Sequence, residues 1–147
     1  MALEELIARG ESRWPGTRVS AESLARFLDG VRPADAETEP WLAGLEHALD
    51  LYLACACAAG DAAALAAFEA EVLPGIAPAI VRIDAAPEVA DEITQELRVK
   101  LLVADEGELP RITRYAGRGP LRSWVQVAAI RAAYDRKRRG GALDHAS

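Results

Sequence analysis

The chain has 147 residues and carries a net charge of −6 at pH 7, from 17 basic and 23 acidic side chains; only 5% of its residues are aromatic. That length fits one domain or a domain with an extension, and the aromatic share leaves the core to Leu, Ile, Val and Ala. Abundant Ala and scarce β-branched runs predict an all-α fold, and the acidic balance excludes a surface that attracts nucleic acid everywhere.

The first elements are short. Helices are predicted over Leu3 to Arg9 and Ser20 to Leu28, parted by Trp14-Pro15-Gly16, with Ser20 as N-cap of the second. The start, MALEELIARG, is acidic and amphipathic and lacks the pattern of a secretory signal. After a loop from Gly30 to Thr38, Pro40 suits a first helical turn. Trp41, Leu42, Leu45, Ala48, Leu49 and Tyr52 then recur at helical spacing until Gly60, predicting one buried helix. Cys55 and Cys57, the only thiols, stand at i, i+2 and point to different faces, so no local disulfide forms. His47 and His145 lie apart with no ligand-spaced neighbours, so neither a metal site nor a cofactor is expected. The apolar stretch from Leu49 to Phe68 is interrupted by Asp50, Gly60 and Asp61, which argues against a membrane span and leaves the cytoplasm as the expected location.

Asp61 is placed to cap the next helix, whose stripe of Leu65, Phe68, Val72 and Leu73 runs into a break at Pro74-Gly75. A shorter helical piece covers Pro78 to Ile83. Pro87 then opens a strongly periodic helix (Val89, Ile93, Leu97, Leu101, Leu102) with Glu88, Asp91 and Glu92 in its first turns, as the helix dipole favours; Gly107 ends the pattern. Asp91, Glu92, Gln95 and Glu96 crowd its amino-terminal half and give a patch able to bind a basic partner helix; a solvated acidic face gives the same pattern.

From Glu108 to Pro120 the spacing predicts a short helix and a mobile basic loop, followed by a last helix from Leu121 to about Arg139, with Leu121, Trp124, Val125, Ala128 and Ala132 on one face and Gly140-Gly141 as its stop. Residues 111 to 139 hold nine cations (Arg111, Arg114, Arg118, Arg122, Arg131, Arg136, Lys137, Arg138, Arg139) against Asp135 alone. That gives +8 locally and −14 for the remainder. A phosphate-binding surface therefore has to lie in this segment. The arginines suit phosphate oxygens, and Tyr115 or Trp124 suits stacking on an unpaired base. No nucleophile–base set is recognisable, and no enzyme activity is expected.

The stretch from Trp124 to Arg139, WVQVAAIRAAYDRKRR, resembles the pattern WL..IA.N...D..RR of bacterial RNA polymerase sigma factors of the sigma-seventy family, especially the extracytoplasmic-function group. Trp124, Ala129, Asp135, Arg136, Arg138 and Arg139 stand on matching positions. Gly119, Leu121, Arg122 and Ser123 look like the family's approach to that tryptophan. Asp91 to Leu102, DEITQELRVKLL, is similar to EDLVQEVFLRLW, and Gly60-Asp61 with Phe68 and Pro74 is similar to GD...F.....P.

The resemblance implies a region-two domain over 60–139, with a helical extension of unknown role over 1–59 and a tail over 140–147. It implies that the 91–102 helix docks through Asp91, Glu92, Gln95, Glu96 and Arg98 on the clamp helices of the polymerase β′ subunit. It also implies that the basic segment captures and opens the minus-ten element of promoter DNA by trapping a flipped base. An anti-sigma factor is a further candidate partner. Arg131 stands where the family often has Asn, and Arg98 where it has an apolar aromatic. The chain ends just after the matched region without a helix-turn-helix, so it is expected to be either a fragment or a protein that selects promoters differently. The alternative reading is a helical adaptor whose basic end contacts an acidic partner. Residues 1–50, with five cations and ten anions, are expected to shield the basic helix in the free protein.

Overall fold

Apolar spacing sets the first two helices, and a capping side chain also the second, in the computed structural model, which describes residues 1–146 and the side-chain surroundings of 1–140. Helix α1 (Leu3–Arg13) turns Leu6 and Gly10 inward, and α2 (Ala21–Val31) turns Leu24 and Leu28 inward. Ser20 caps α2 as expected, its Oγ accepting from the Ser23 N–H at 3.0 Å. Between the helices Trp14 folds back and stacks on Tyr52, with centroids 6.3 Å apart and planes 5° apart. Gly10 permits this approach: a β-carbon there would lie 2.2 Å from Tyr52 Cδ1. Buried Thr17 donates to the Trp14 carbonyl at 2.7 Å and shares a 2.9 Å hydrogen bond with the Tyr52 hydroxyl, which satisfies the polar atoms of this knot.

The single helix expected from Pro40 to Gly60 is two. Helix α3 (Thr38–Ala43) ends where the Gly44 N–H folds onto the carbonyls of Pro40 and Trp41, and α4 (Ala48–Ala58) starts after His47. The apolar period runs unbroken across the gap, so period alone did not reveal it. Helix α4 is apolar all round, with Leu51 to Cys57 all buried, and this is the composition of a central helix. It packs against α1, α2, α5 (Ala62–Ala67), the connector (residues 108–120) and α8 (Leu121–Ala146). One core cluster runs from Leu6 to Ala133, so the boundary expected at residue 59 is no boundary in the packing: the extension supplies the centre of the core. Cys55 and Cys57 sit within it on different sides. Cys55 Sγ faces the Ser23 carbonyl, Cys57 Sγ the Ala64 carbonyl, and burial pushes the thiols up to about 11 and about 12.

Asp61 caps α5 as its position predicts, accepting from the Ala64 N–H at 2.9 Å. The helical run then loosens into a π turn (Phe68–Val72) and tightens into a 3-10 turn (Leu73–Gly75) before α6 (Ile76–Ile80), because Pro74 lacks the N–H and the space that an α-helix requires. That rotation aims Phe68, Val72, Leu73, Ile76 and Ile80 at the core. By length and composition the run 62–80 could cross a membrane, yet these five side chains pack on α7 (Pro87–Leu102), α8 (Leu121–Ala146) and the rest of the core. Helix α8 continues through Gly140-Gly141, which do not stop it; a mid-helix glycine costs about 1 kcal/mol relative to Ala and weakens a helix without breaking it. The fold is all-α, with no strand among the described residues.

Candidate functional site

The connector ahead of α8 is built onto α4. Its 3-10 turn, Arg111–Arg114, buries Ile112 and leaves Arg111 and Arg114 in water. Tyr115 follows, 1% exposed, its hydroxyl donating to the Gly119 carbonyl. Burial, and secondly the charge of Asp50, push its phenol upward, so it remains a neutral donor. Gly117 has φ +75° and lies against Leu51, where a β-carbon would come within 2.9 Å of Cδ1. Asp50, on α4, accepts from the Leu121 N–H at 2.8 Å and so places a carboxylate at the positive end of α8. These contacts fasten a segment expected to be a mobile loop. They also overturn Tyr115 as a base-stacking residue, because its ring is inside the core.

Helix α8 has two faces. Leu121, Val125, Ala129 and Ala133, each four residues apart, are buried; Ser123, Val127, Arg131, Tyr134 and Arg138 face water along the opposite side. Trp124 lies between them, half-buried and edge-on to Tyr115, with centroids 5.8 Å apart and an interplanar angle of 65°. It opens onto a concavity of about 520 Å³ that Arg114, Arg118, Ser123 and Val127 also line. Arg122 points elsewhere, its stem against Gly75, where a β-carbon would stand 3.2 Å from Cγ. Arg111, Arg114, Arg118, Arg122, Arg131, Lys137 and Arg139 make no ion pair among the described residues, whereas Arg136 is bound to Glu92 and Arg138 to Asp135. Tyr134, 54% exposed, is the aromatic that sequence reasoning passed over. Its place outside the buried four-residue row was the available signal.

The acidic patch on α7 is more engaged than expected. Ile93, Leu97 and Leu101 are buried, which turns Glu88, Asp91, Glu92 and Gln95 outward. Glu92 reaches Arg136 on α8, Glu96 pairs with Lys100 at 2.7 Å, and Arg98 donates to Gln95 and to both oxygens of Glu69 on the π turn. The Arg98 hydrogen bond holds the Glu69 carboxyl below the ordinary range. Asp91 alone of the five expected docking residues has no polar side-chain partner among the described residues. The same outer face ends in Val99 and Val103, 48% and 58% exposed, which sequence reasoning did not single out. Through Glu92–Arg136 the acidic and basic surfaces adjoin, and a mixed-charge cleft of about 420 Å³ lies between Glu96, Lys100, Asp135, Arg138 and Arg139.

No family model, curated protein or solved structure matches this chain. The arrangement therefore has to be read from its own chemistry. The half-buried indole of Trp124, the Ser123 hydroxyl and the two guanidinium groups that make no ion pair among the described residues, Arg114 and Arg118, offer stacking and anion contacts together around one concavity, and the exposed face of α8 extends both. The acidic extension is not placed as a shield by its ion pairs. Glu5 pairs with Arg9, Glu22 with Arg26 and Asp29 with Arg32, all within their own helices or helix ends, while among the described residues the ion pairs of α8 are Arg136 with Glu92 on α7 and Arg138 with Asp135 on α8. Asp50 alone of the acidic residues in 1–50 reaches the described part of α8, at the Leu121 N–H and not at a cation.

Proposed function

We propose that the protein acts as a sigma-factor region-two module in transcription initiation: the outer face of α7 docks on the β′ clamp helices of core RNA polymerase, and the connector with α8 holds the displaced strand of the minus-ten promoter element. The observation that carries this reading is the concavity at the start of α8, where Trp124 lies beside Arg114, Arg118 and Ser123. Base-on-aromatic stacking contributes about 1–3 kcal/mol per base, and it needs a base face that a paired duplex keeps covered. Such a pocket favours separated strands over duplex. Val127, Arg131, Tyr134 and Arg138 continue the track along the exposed face, with cations for phosphates and a second aromatic for stacking.

The charge balance orders the steps. With −14 on the rest of the chain, the free protein holds DNA weakly, and the basic face works after α7 has brought it to polymerase. Opening then proceeds by capture of an unpaired base and retention of its backbone, without covalent chemistry, and in the cytoplasm where polymerase works. Asp91→Lys together with Gln95→Ala tests the docking half, since both side chains face water and neither anchors the core. The variant should keep its helical circular dichroism and its thermal midpoint within a few degrees, yet bind core polymerase at least about tenfold more weakly. Unchanged affinity would refute docking through this face.

A further inference from the structure

We infer that the groove between α2, the end of α4 and the connector receives an acidic amphipathic helix of a partner protein, and that its occupation withdraws Arg114 from nucleic acid. The groove has a volume of about 560 Å³; Phe27 and Val31 from α2, Ala58 from α4 and Leu109 from the connector line it. Leu109 is 77% exposed, more than any other large apolar side chain described. Isolated exposed apolar residues are ordinary, but one that stands with Phe27 and Val31 around a concave surface makes a continuous patch that water solvates poorly. An apolar concavity of this lining is the kind of surface that takes the apolar stripe of a helix with anchors at i, i+3 and i+7.

Charge selects the occupant. Arg26 and Arg114 also line the groove, and no acidic residue does, although the chain as a whole carries −6. Among the described residues the one intramolecular competitor is Glu22, 3.3 Å from Arg26 and with both side chains largely in water, an arrangement worth little and easily exchanged for a partner's carboxylate. Arg114 has no ion pair among the described residues. A helix with apolar anchors and flanking Glu or Asp therefore meets apolar surface and two guanidinium groups at once.

The consequence for function rests on the sigma-factor reading. Arg114 and Ala116 line this groove and the Trp124 concavity alike, so the connector is a shared wall. A guanidinium held by a partner carboxylate is lost to phosphate, and the two ligands must weaken each other by the same factor.

The test uses the full chain and two synthetic amphipathic peptides with identical Leu anchors, one flanked by Glu and one by Gln, followed by backbone amide shifts. The Glu peptide should perturb Phe27, Gly30, Leu109 and Thr113 and bind at least about tenfold more tightly than the Gln peptide. Leu109→Asp, at an exposed position that leaves the core intact, should abolish those shifts, and Arg26→Glu should weaken them. Equal binding of the two peptides, or shifts confined to α8, would overturn the groove assignment. Adding a single-stranded oligonucleotide separates the two proposals. Mutual displacement supports the shared Arg114, and simultaneous binding without interference overturns it. Failure of the chain to bind the oligonucleotide even in complex with core polymerase counts against the sigma-factor reading, while the groove remains readable from the peptide shifts of the free chain.

Discussion

Gly117 shows how a single residue fixes the candidate site. Its φ of +75° and the 2.9 Å approach of Leu51 leave neither the backbone nor the space for a side chain. Gly117→Ala should lower stability by about 2–3 kcal/mol in urea unfolding, from left-handed strain and the displaced Leu51 together. A loss under about 0.5 kcal/mol would mean that the connector is not packed against α4 as described. What the sequence made legible at this scale is local. Ser20 and Asp61 cap helices three residues ahead of their partners, and Cys55 and Cys57 diverge as their spacing requires. Contacts between distant residues were hidden. Asp50 meets the Leu121 N–H across 71 positions, and the burial of Tyr115, expected to stack on a base, depends on which way the connector turns.

At the scale of elements, α8 sorts its cations into those that face water and those that hold α7. Arg131 lies on the open face, while Arg136, 32% exposed at its side chain, is tied to Glu92. In complex with polymerase, Arg131→Ala should therefore reduce the slope of log affinity for single-stranded DNA against log salt by about 0.7, the expectation for one lost phosphate contact, and Arg136→Ala should reduce it less. A larger effect from Arg136 would mean that the pair with Glu92 opens on binding and that the two surfaces are rearranged. Helix existence and type were readable from the period of apolar residues, as in α7 and α8. Helix ends were less so: the gap between α3 and α4 interrupts no apolar period, and the double glycine after Arg139 weakens α8 without ending it. The π turn at Phe68–Val72 had no sequence signal beyond Pro74-Gly75, although it presents Glu69 to Arg98 and Glu71 to Trp14.

Across the whole molecule, the core extends beyond the span that resembles a known domain. The resemblance begins at Gly60, but the most buried helix, α4, precedes it. A chain starting at residue 60 exposes the surfaces of α5, α8 and the connector that α4 and α2 cover, and it should melt without a cooperative transition by circular dichroism. A sharp, two-state melt of that fragment would show the extension to be dispensable. The extension thus has an architectural role: it carries Asp50 and Leu51, which set the connector and the start of α8. The central claim, that this face recognises separated strands once polymerase is bound, is tested most directly by measuring the affinity of the protein–core polymerase complex for a premelted minus-ten oligonucleotide against the fully paired duplex of the same sequence. A preference of about tenfold or more for the premelted strand is predicted, from at least one stacked base; equal affinity, or preference for the duplex, would contradict it.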